Sequence, residues 1–226
     1  MNVLHLRNFP ILEQLQIEEA LLRCDEEEWC IINEGSTPAI VMGISGKAET
    51  LIQTHLNTLP IIKRYSGGGT VVVDENTLFV SFICKAVLHC PKSIMQWSAD
   101  LYQPVFNHPE FSLKEHDYAI GEKKCGGNAQ YLRKNRFVHH TTFLWDYNPD
   151  HMALLKMPPK IPTYRQNRTH ADFICKLTDL LDSKAAFIDR LKAELSQRYS
   201  TKTVTVDDAL PFLSKEHRKS TTIVYS

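Results

Sequence analysis

Two short stretches of the chain hold residue types that suit chemistry on anionic groups. The first is Lys63-Arg64-Tyr65-Ser66-Gly67-Gly68-Gly69-Thr70-Val71-Val72-Val73-Asp74. Three consecutive glycines let backbone N–H groups turn toward a ligand and let it approach closely. Arg64 adds a planar cationic fork, and the combination suits a phosphate or a carboxylate. The bland alternative is a tight turn entering a strand. The run is not a P-loop: it has no lysine after its glycines, and Gly43-Ile44-Ser45-Gly46-Lys47-Ala48 has neither the spacing nor a Ser/Thr after its lysine. Nor is it a dinucleotide fingerprint, since a β-branched run follows where a helix should start. The second stretch is Gly121-Glu122-Lys123-Lys124-Cys125-Gly126-Gly127-Asn128-Ala129-Gln130. A strand lysine beside two glycines can set its ammonium over an acyl or phosphoryl oxygen while small neighbours leave room for substrate. The alternative is a solvated hairpin edge. In His139-His140-Thr141-Thr142 the adjacent histidines point to opposite faces of a strand, so they do not readily share a metal; one should face the site or core and the other solvent. Cys125 reads either as a lysine-activated thiolate or as a buried, inert thiol.

Composition frames these stretches. The chain has 226 residues and nine glycines, five of which are the Gly67–Gly69 triplet and the Gly126-Gly127 pair. Twenty-six basic residues balance 26 acidic ones, so no net charge favours nucleic acid or an anionic membrane. Six cysteines, with two C-x5-C spacings and no C-x2-C, argue against a disulfide scaffold or a structural zinc site. With no signal-like N-terminus and no apolar run near the ~20 residues a membrane span needs, the expected location is a reducing cytoplasm.

The elements that must position the clusters follow from periodicity. Asn8 to Arg23 predicts an amphipathic helix with Glu18-Glu19 outward. Strands are predicted at 29–32, 39–44 and 61–64, with a helix over 51–59. Thr70 to Val73 and Leu78 to Ile83 read as a hairpin around Asp74-Glu75-Asn76. A helix over 93–106 precedes antiparallel strands at 118–120, 124–132 and 136–145. Then come a short helix over 150–156, a proline-rich strap over 157–162, a helix capped by Ser183 with Phe187, Leu191 and Leu195 on one face, a strand over 201–206 and an ill-defined tail. The pattern predicts an α+β fold, a mixed, mostly antiparallel sheet flanked by helices. Residues 1–182 are expected to form the catalytic domain, with 183–226 packed on it.

In this order and spacing the motifs resemble the lipoate-protein ligases. Arg64 to Asp74 is similar to their R-x-S-G-G-G-x-V-x-H-D segment, Lys124-Cys125-Gly126-Gly127-Asn128-Ala129-Gln130 to K-x-x-G-x-A-Q, and His139 to Leu144 to H-H-G-T-L-L. Glu18-Glu19-Ala20-Leu21-Leu22 resembles an early helix of the family. Met157-Pro158 and Tyr164-Arg165 look most like a subgroup of plants and some intracellular bacteria. The resemblance implies the biotin/lipoate ligase catalytic fold and a two-step reaction. Lipoate (or octanoate) and ATP, with Mg2+, give an acyl-adenylate; a lysine ε-amino group of a lipoyl domain then takes the acyl group. It implies Lys124 at the acyl carbonyl and the adenylate phosphate, where a fixed ammonium offsets the repulsion of two anions. Arg64, Gly69, Thr70, Val71 and Val72 would hold the nucleotide. Ser66, Gly67, Gly68, Gly126, Gly127, Asn128, Ala129 and His140 would flank the lipoyl chain. The implied partners are lipoyl domains of 2-oxoacid dehydrogenase acyltransferase subunits and the glycine-cleavage H protein, with no nucleic acid and no membrane. No metal ligands are assigned, because the family's histidine and asparagine on the phosphate side are Val73 and Thr77 here. The chain resembles the short form, without the C-terminal accessory domain that aids adenylation; this implies either a separate accessory protein or a preformed activated acyl donor. Two other readings stand beside the ligase: an octanoyl or lipoyl transferase, and a non-catalytic scaffold that binds lipoyl domains.

Overall fold

A computed structural model describes residues 1–86, 90–158 and 161–225. In chain order its elements are β1 (Asn2–Arg7), α1 (Ile11–Cys24), β2 (Trp29–Glu34), β3 (Ala39–Met42), α2 (Ala48–Leu51), β4 (Ile61–Lys63), β5 (Val71–Val73), β6 (Thr77–Lys85), α3 (Pro91–Phe106), β7 (Phe111–Lys114), β8 (Asp117–Ile120), β9 (Lys123–Leu132), β10 (Arg136–Leu144), α4 (Pro149–Ala153), α5 (His170–Phe173), α6 (Lys184–Arg198), β11 (Lys202–Val204), α7 (Val206–Ala209) and β12 (Thr222–Tyr225). Among the described residues the strands form two sheets, ordered β11-β1-β2-β6-β10-β9-β8-β7 and β12-β4-β3-β5. Among the described strands, parallel pairs occur only where β1 meets β2 and β11 and where β3 meets β4, so the α+β, mostly antiparallel expectation holds.

The large sheet separates two cores. On one face α3 and α6 bury Tyr102, Phe106, Phe187, Leu191 and Leu195 against Phe82, Tyr118 and Phe143. Phe106 stacks on Phe111 with ring centroids 4.1 Å apart and meets Phe187 edge-on at 5.0 Å. Such contacts are worth about 0.5–1.5 kcal/mol each beyond area burial. On the other face α1 packs Leu15, Leu21 and Leu22 over Ile31, Phe79 and Val138, and the small sheet adds Val41, Ile62 and Val73.

Four local expectations are overturned. Val71–Val73 and Thr77–Lys85 do not form a hairpin: β5 pairs with β3 in the small sheet and β6 with β2 and β10 in the large one. The turn between them, closed by the Asp74 N–H donating to Thr77 Oγ1 (3.1 Å), passes the chain from one sheet to the other. The helix expected at 51–59 is a single turn, Ala48–Leu51. Glu18 and Glu19 do not face outward; both are buried. Finally, the tail is ordered. The Glu19 carboxylate accepts from the N–H groups of Ser220 and Thr221 (2.9 and 3.0 Å) and the Thr221 hydroxyl (3.1 Å), and β12 then joins the small sheet beside β4. Residues 159 and 160 of the expected strap lie outside the described residues. Among the described residues no helix is long and apolar enough to cross a membrane.

Candidate functional site

The triglycine loop joins β4 to β5, and Arg64 at its start staples it shut. The guanidinium is almost fully buried. Its Nε donates to Ser66 Oγ (3.0 Å) and to the Gly67 carbonyl (3.1 Å). Its Nη2 donates to the carbonyls of Gly67 (2.7 Å) and Gly69 (2.8 Å), and Nη1 reaches the Val41 carbonyl (3.4 Å). Burial pulls its pKa down to about 10, which leaves it charged at neutral pH. Arg64, expected to hold the nucleotide, is thus committed to the loop itself. The consequence reaches the ligand side. In a trans peptide the C=O and the following N–H point oppositely, so drawing the Gly67 and Gly69 carbonyls inward turns the amides of Gly68 and Thr70 outward. Neither amide donates to another described residue. A Cβ on Gly67 or Gly69 would meet nothing within 4 Å. Two outward amides beside open space are donors of the kind that suits an anion. Next to it the buried Thr70 hydroxyl has no partner among the described residues.

The same loop touches the second cluster. Gly68 has φ +98°, which an L side chain rarely adopts, and a Cβ there would stand 3.1 Å from the Ala129 Cβ. Cross-strand register sorts β9 by face. Gly127 opposes Thr142, and Ala129 opposes His140, on the side of α1; Gly126 opposes Phe143, and Asn128 opposes Thr141, on the side of α3. A Cβ on Gly126 would lie 2.8 Å from the Phe143 ring, so that glycine serves core packing. Asn128 is also on the far face, accepting from Thr141 Oγ1 (2.9 Å) and donating to the His116 carbonyl (3.1 Å). Gly127 is different: a Cβ there would sit 3.4 Å from Lys124 Nζ. The Lys124 ammonium and Gly68 therefore share one face of β9, two residues or ~7 Å apart along it. Ser66, Gly68, Lys124, Gly127, Ala129 and His140 come together; Gly126 and Asn128 lie behind them. Val72 is buried among Ile40 and Ile61, and Val71 packs along the α1-side core.

Lys124 is held by a residue that sequence reasoning missed. Its Nζ lies 2.7 Å from Asp117 Oδ1, and the Tyr164 hydroxyl donates to Asp117 Oδ2 (3.0 Å). Asp117 stands opposite Gly127 because a β-bulge shifts the β8–β9 register between Tyr118 and Ala119; the uninterrupted hairpin that the turn at Gly121-Glu122 predicts would set it opposite Gly126. A segment over 163–175 crosses this hairpin. Cys175 N–H donates to the Lys124 carbonyl (2.9 Å) and Arg168 Nη1 to the Glu122 carbonyl (2.9 Å). The nearly buried Arg165 guanidinium lies 4.8 Å over the Phe173 ring, with Nη2 unpartnered among the described residues. Burial, then the charges of Arg165 and Lys124, lower the pKa of His170.

Both histidines of the pair are buried, against the expectation that one would face solvent. His139 faces the α3 side, 3.1 Å from the Tyr118 hydroxyl and 3.2 Å from Gln130 Nε2; burial and the adjacent His140 lower its pKa to about 3, so it is neutral. His140 faces the α1 side and contacts Ser66 and Glu18. Cys125 is buried, and desolvation pushes its pKa well up, as an inert thiol requires. Val73 is part of the core, and Thr77 is spent on the Asp74 turn. The described residues contain no cluster of three or more His, Cys, Asp or Glu able to hold a metal ion.

A family model, the lipoyl protein ligase A/B catalytic domain, matches residues 10–200. The chain belongs to this family. It is 28% identical to the inactive lipoate–protein ligase 2 of Plasmodium falciparum, over 94% of this chain and 73% of that one. Among solved structures, lipoate-protein ligase A bound with ATP superposes with a TM-score of 0.75 at 20% identity, covering 95% of this chain and 94% of that one. The bipartite lipoate protein ligase of Thermoplasma acidophilum, studied with its E2 lipoyl domain, gives 0.75 at 18% identity, covering 95% and 92%. At these identities the superpositions establish that the large mostly antiparallel sheet with its helices is the lipoate ligase catalytic fold. Family membership places Lys124, Arg64 and both glycine clusters inside the matched region.

Proposed function

We propose that this protein transfers a lipoyl or octanoyl group from an acyl-adenylate to the ε-amino group of a lysine on a lipoyl domain, and that it forms the adenylate from the free acid and ATP. The observation that carries this reading is the shared face of β9, which the Lys124 ammonium meets at Gly127 and the stapled loop meets at Ala129. In the first step a carboxylate oxygen bonds to the α-phosphorus of ATP and pyrophosphate leaves. In the second the lysine nitrogen bonds to the acyl carbon, AMP leaves and the amine gives up a proton. Both steps concentrate negative charge where the acyl oxygen meets the phosphate. An ammonium already fixed there by Asp117 needs no reorganisation to meet it; such stabilisation is typically worth about 3–4 kcal/mol. Mg2+ would enter with the nucleotide, held mainly by phosphate oxygens. The ATP-bound and lipoyl-domain-associated family structures support both substrates.

A narrower reading, in which the chain performs only the second step on a preformed adenylate, is favoured by Val73 and Thr77. Both face inward at the positions where the family resemblance puts phosphate-side polar groups. The relative named an inactive ligase counts against the full ATP-dependent reading. Purified chain, apo lipoyl domain and either lipoate with MgATP or synthetic lipoyl-adenylate separate the two. Pyrophosphate release with acceptor mass gain supports the full ligase, and mass gain from the adenylate alone supports the transferase. Lys124→Ala is expected to abolish transfer from either donor in a folded protein; undiminished lipoylation by that variant refutes the proposed role. No mass gain from either donor refutes the reaction and leaves a lipoyl-domain binder.

A further inference from the structure

Between α1 and the triglycine loop runs a row of buried polar groups that the transfer chemistry does not use. Glu18 is completely buried. Its Oε1 accepts from Gln14 Nε2 (2.8 Å), and Gln14 Oε1 in turn accepts from Asn33 Nδ2 (2.8 Å). Its Oε2 lies 2.7 Å from His140 Nδ1, and His140 Nε2 lies 3.0 Å from Ser66 Oγ. Ser66 Oγ accepts from Arg64 Nε, and Arg64 holds the carbonyls of Gly67 and Gly69.

Counting protons gives the row a direction. An ionised carboxylate only accepts, so His140 Nδ1 carries hydrogen. A guanidinium only donates, so the Ser66 oxygen is an acceptor toward Arg64, and the His140 ring joins that hydroxyl to the Glu18 carboxylate. Every group from Asn33 to Gly69 then has a partner. A carboxylate, an imidazole and a hydroxyl in this order also build hydrolytic triads. Here, however, the hydroxyl is fully buried and receives a guanidinium N–H, an arrangement that holds a loop rather than attacks a substrate.

We infer that Glu18 is a positioning residue: acting through His140, Ser66 and Arg64, it locks the Gly67 and Gly69 carbonyls inward and so keeps the Gly68 and Thr70 amides turned toward the ligand. Burial alone would push its pKa up; His140 and the surrounding hydrogen bonds outweigh that and lower it, which keeps the carboxylate ionised and the row intact. The kinetic consequence rests on the transfer reaction proposed above, while the structural one does not.

Glu18→Gln tests both. The amide keeps the volume but sets an N–H against either the His140 or the Gln14 donor. Transfer from lipoyl-adenylate to an apo lipoyl domain should show KM for the adenylate raised about tenfold or more, with kcat within about twofold. Ser66→Ala should behave alike, and the double variant no worse than the weaker single one, because a row cut once carries nothing further. Amide hydrogen exchange supplies a readout independent of activity. Ile44 N–H donates to the Ser66 carbonyl (3.0 Å) and should exchange faster in both variants, while core amides of β6 do not change. Additive KM effects, or wild-type KM with unchanged Ile44 exchange, overturn the relay. If the wild-type chain transfers nothing, the reaction fails and Ile44 exchange alone decides the relay. If Glu18→Gln does not fold, Ser66→Ala decides.

Discussion

Gly67 and Gly68 are neighbours in one loop, yet the structure assigns them opposite costs. An alanine at Gly68 must hold φ +98° and places its Cβ 2.7 Å from Arg64 Nη2 and 3.1 Å from the Ala129 Cβ. The left-handed backbone costs about 1–2 kcal/mol for an L side chain. Displacing Nη2 weakens charged hydrogen bonds to two carbonyls, a loss of about 1.5–3 kcal/mol for a buried ion. The sum, roughly 2.5–5 kcal/mol, lowers Tm by about 5–20 °C at ~2–4 °C per kcal/mol for a chain of this size. Alanine at Gly67 meets nothing within 4 Å, and its φ lies outside the left-handed range. It should therefore leave Tm unchanged or raise it by a degree or two, since restricting the unfolded chain is worth about 0.4–1 kcal/mol. Its methyl enters the space beside the outward amides, so KM for the acyl donor should rise in a protein that is as stable as wild type. Calorimetric Tm and transfer kinetics on the two variants test the assignment. A Gly68→Ala chain with wild-type Tm would refute the stapled loop, and a Gly67→Ala chain with wild-type KM would refute the ligand-facing surface.

The second glycine pair gives a matched contrast. Gly126→Ala should lose about 1–3 kcal/mol by overpacking Phe143 with KM unchanged, while Gly127→Ala should keep its Tm and lose activity by crowding Lys124; urea titration and transfer kinetics separate them. Stability should also fall with acid before any carboxylate protonates. With the His139 pKa lowered to about 3 by burial, the unfolded chain binds the extra proton between about pH 6.5 and pH 3, so stability is full above that window and declines through it. Through His139, denaturant unfolding at pH 5 should yield about 2 kcal/mol less than at pH 7.5, and His139→Gln should remove that share whatever its own stability, leaving the contributions of His5 and His170, whose pKa values burial also lowers. A pH-independent wild type between those values would show that His139 charges in the folded state.

How far the sequence reaches is clearest where one rule applied and another was set aside. The β8–β9–β10 meander was legible because alternation and turn residues are local, and the face of each β9 residue follows once its register is known. The same arithmetic places Glu18 in the core. Ile11, Leu15 and Leu22 define a stripe at i, i+4 and i+11, and position 18, at i+7, lies within it. Residue type, read alone, sent Glu18 to solvent; spacing puts it against β10, where His140 gives it a partner. The β5–β6 break was not legible, because two β-rich runs three residues apart look identical whether they pair or part. Only the distant partners β3 and β10 decide, and neither leaves a trace in the intervening Asp74-Glu75-Asn76. The C-terminal strand had the same fate, since its order comes from the carboxylate of Glu19 some two hundred residues earlier. Arg64 shows the deeper limit. Its type and its glycine neighbours suit an anion site, but a guanidinium can bind a ligand or brace the loop whose amides would face it. Those alternatives have the same sequence and differ only in where two carbonyls point.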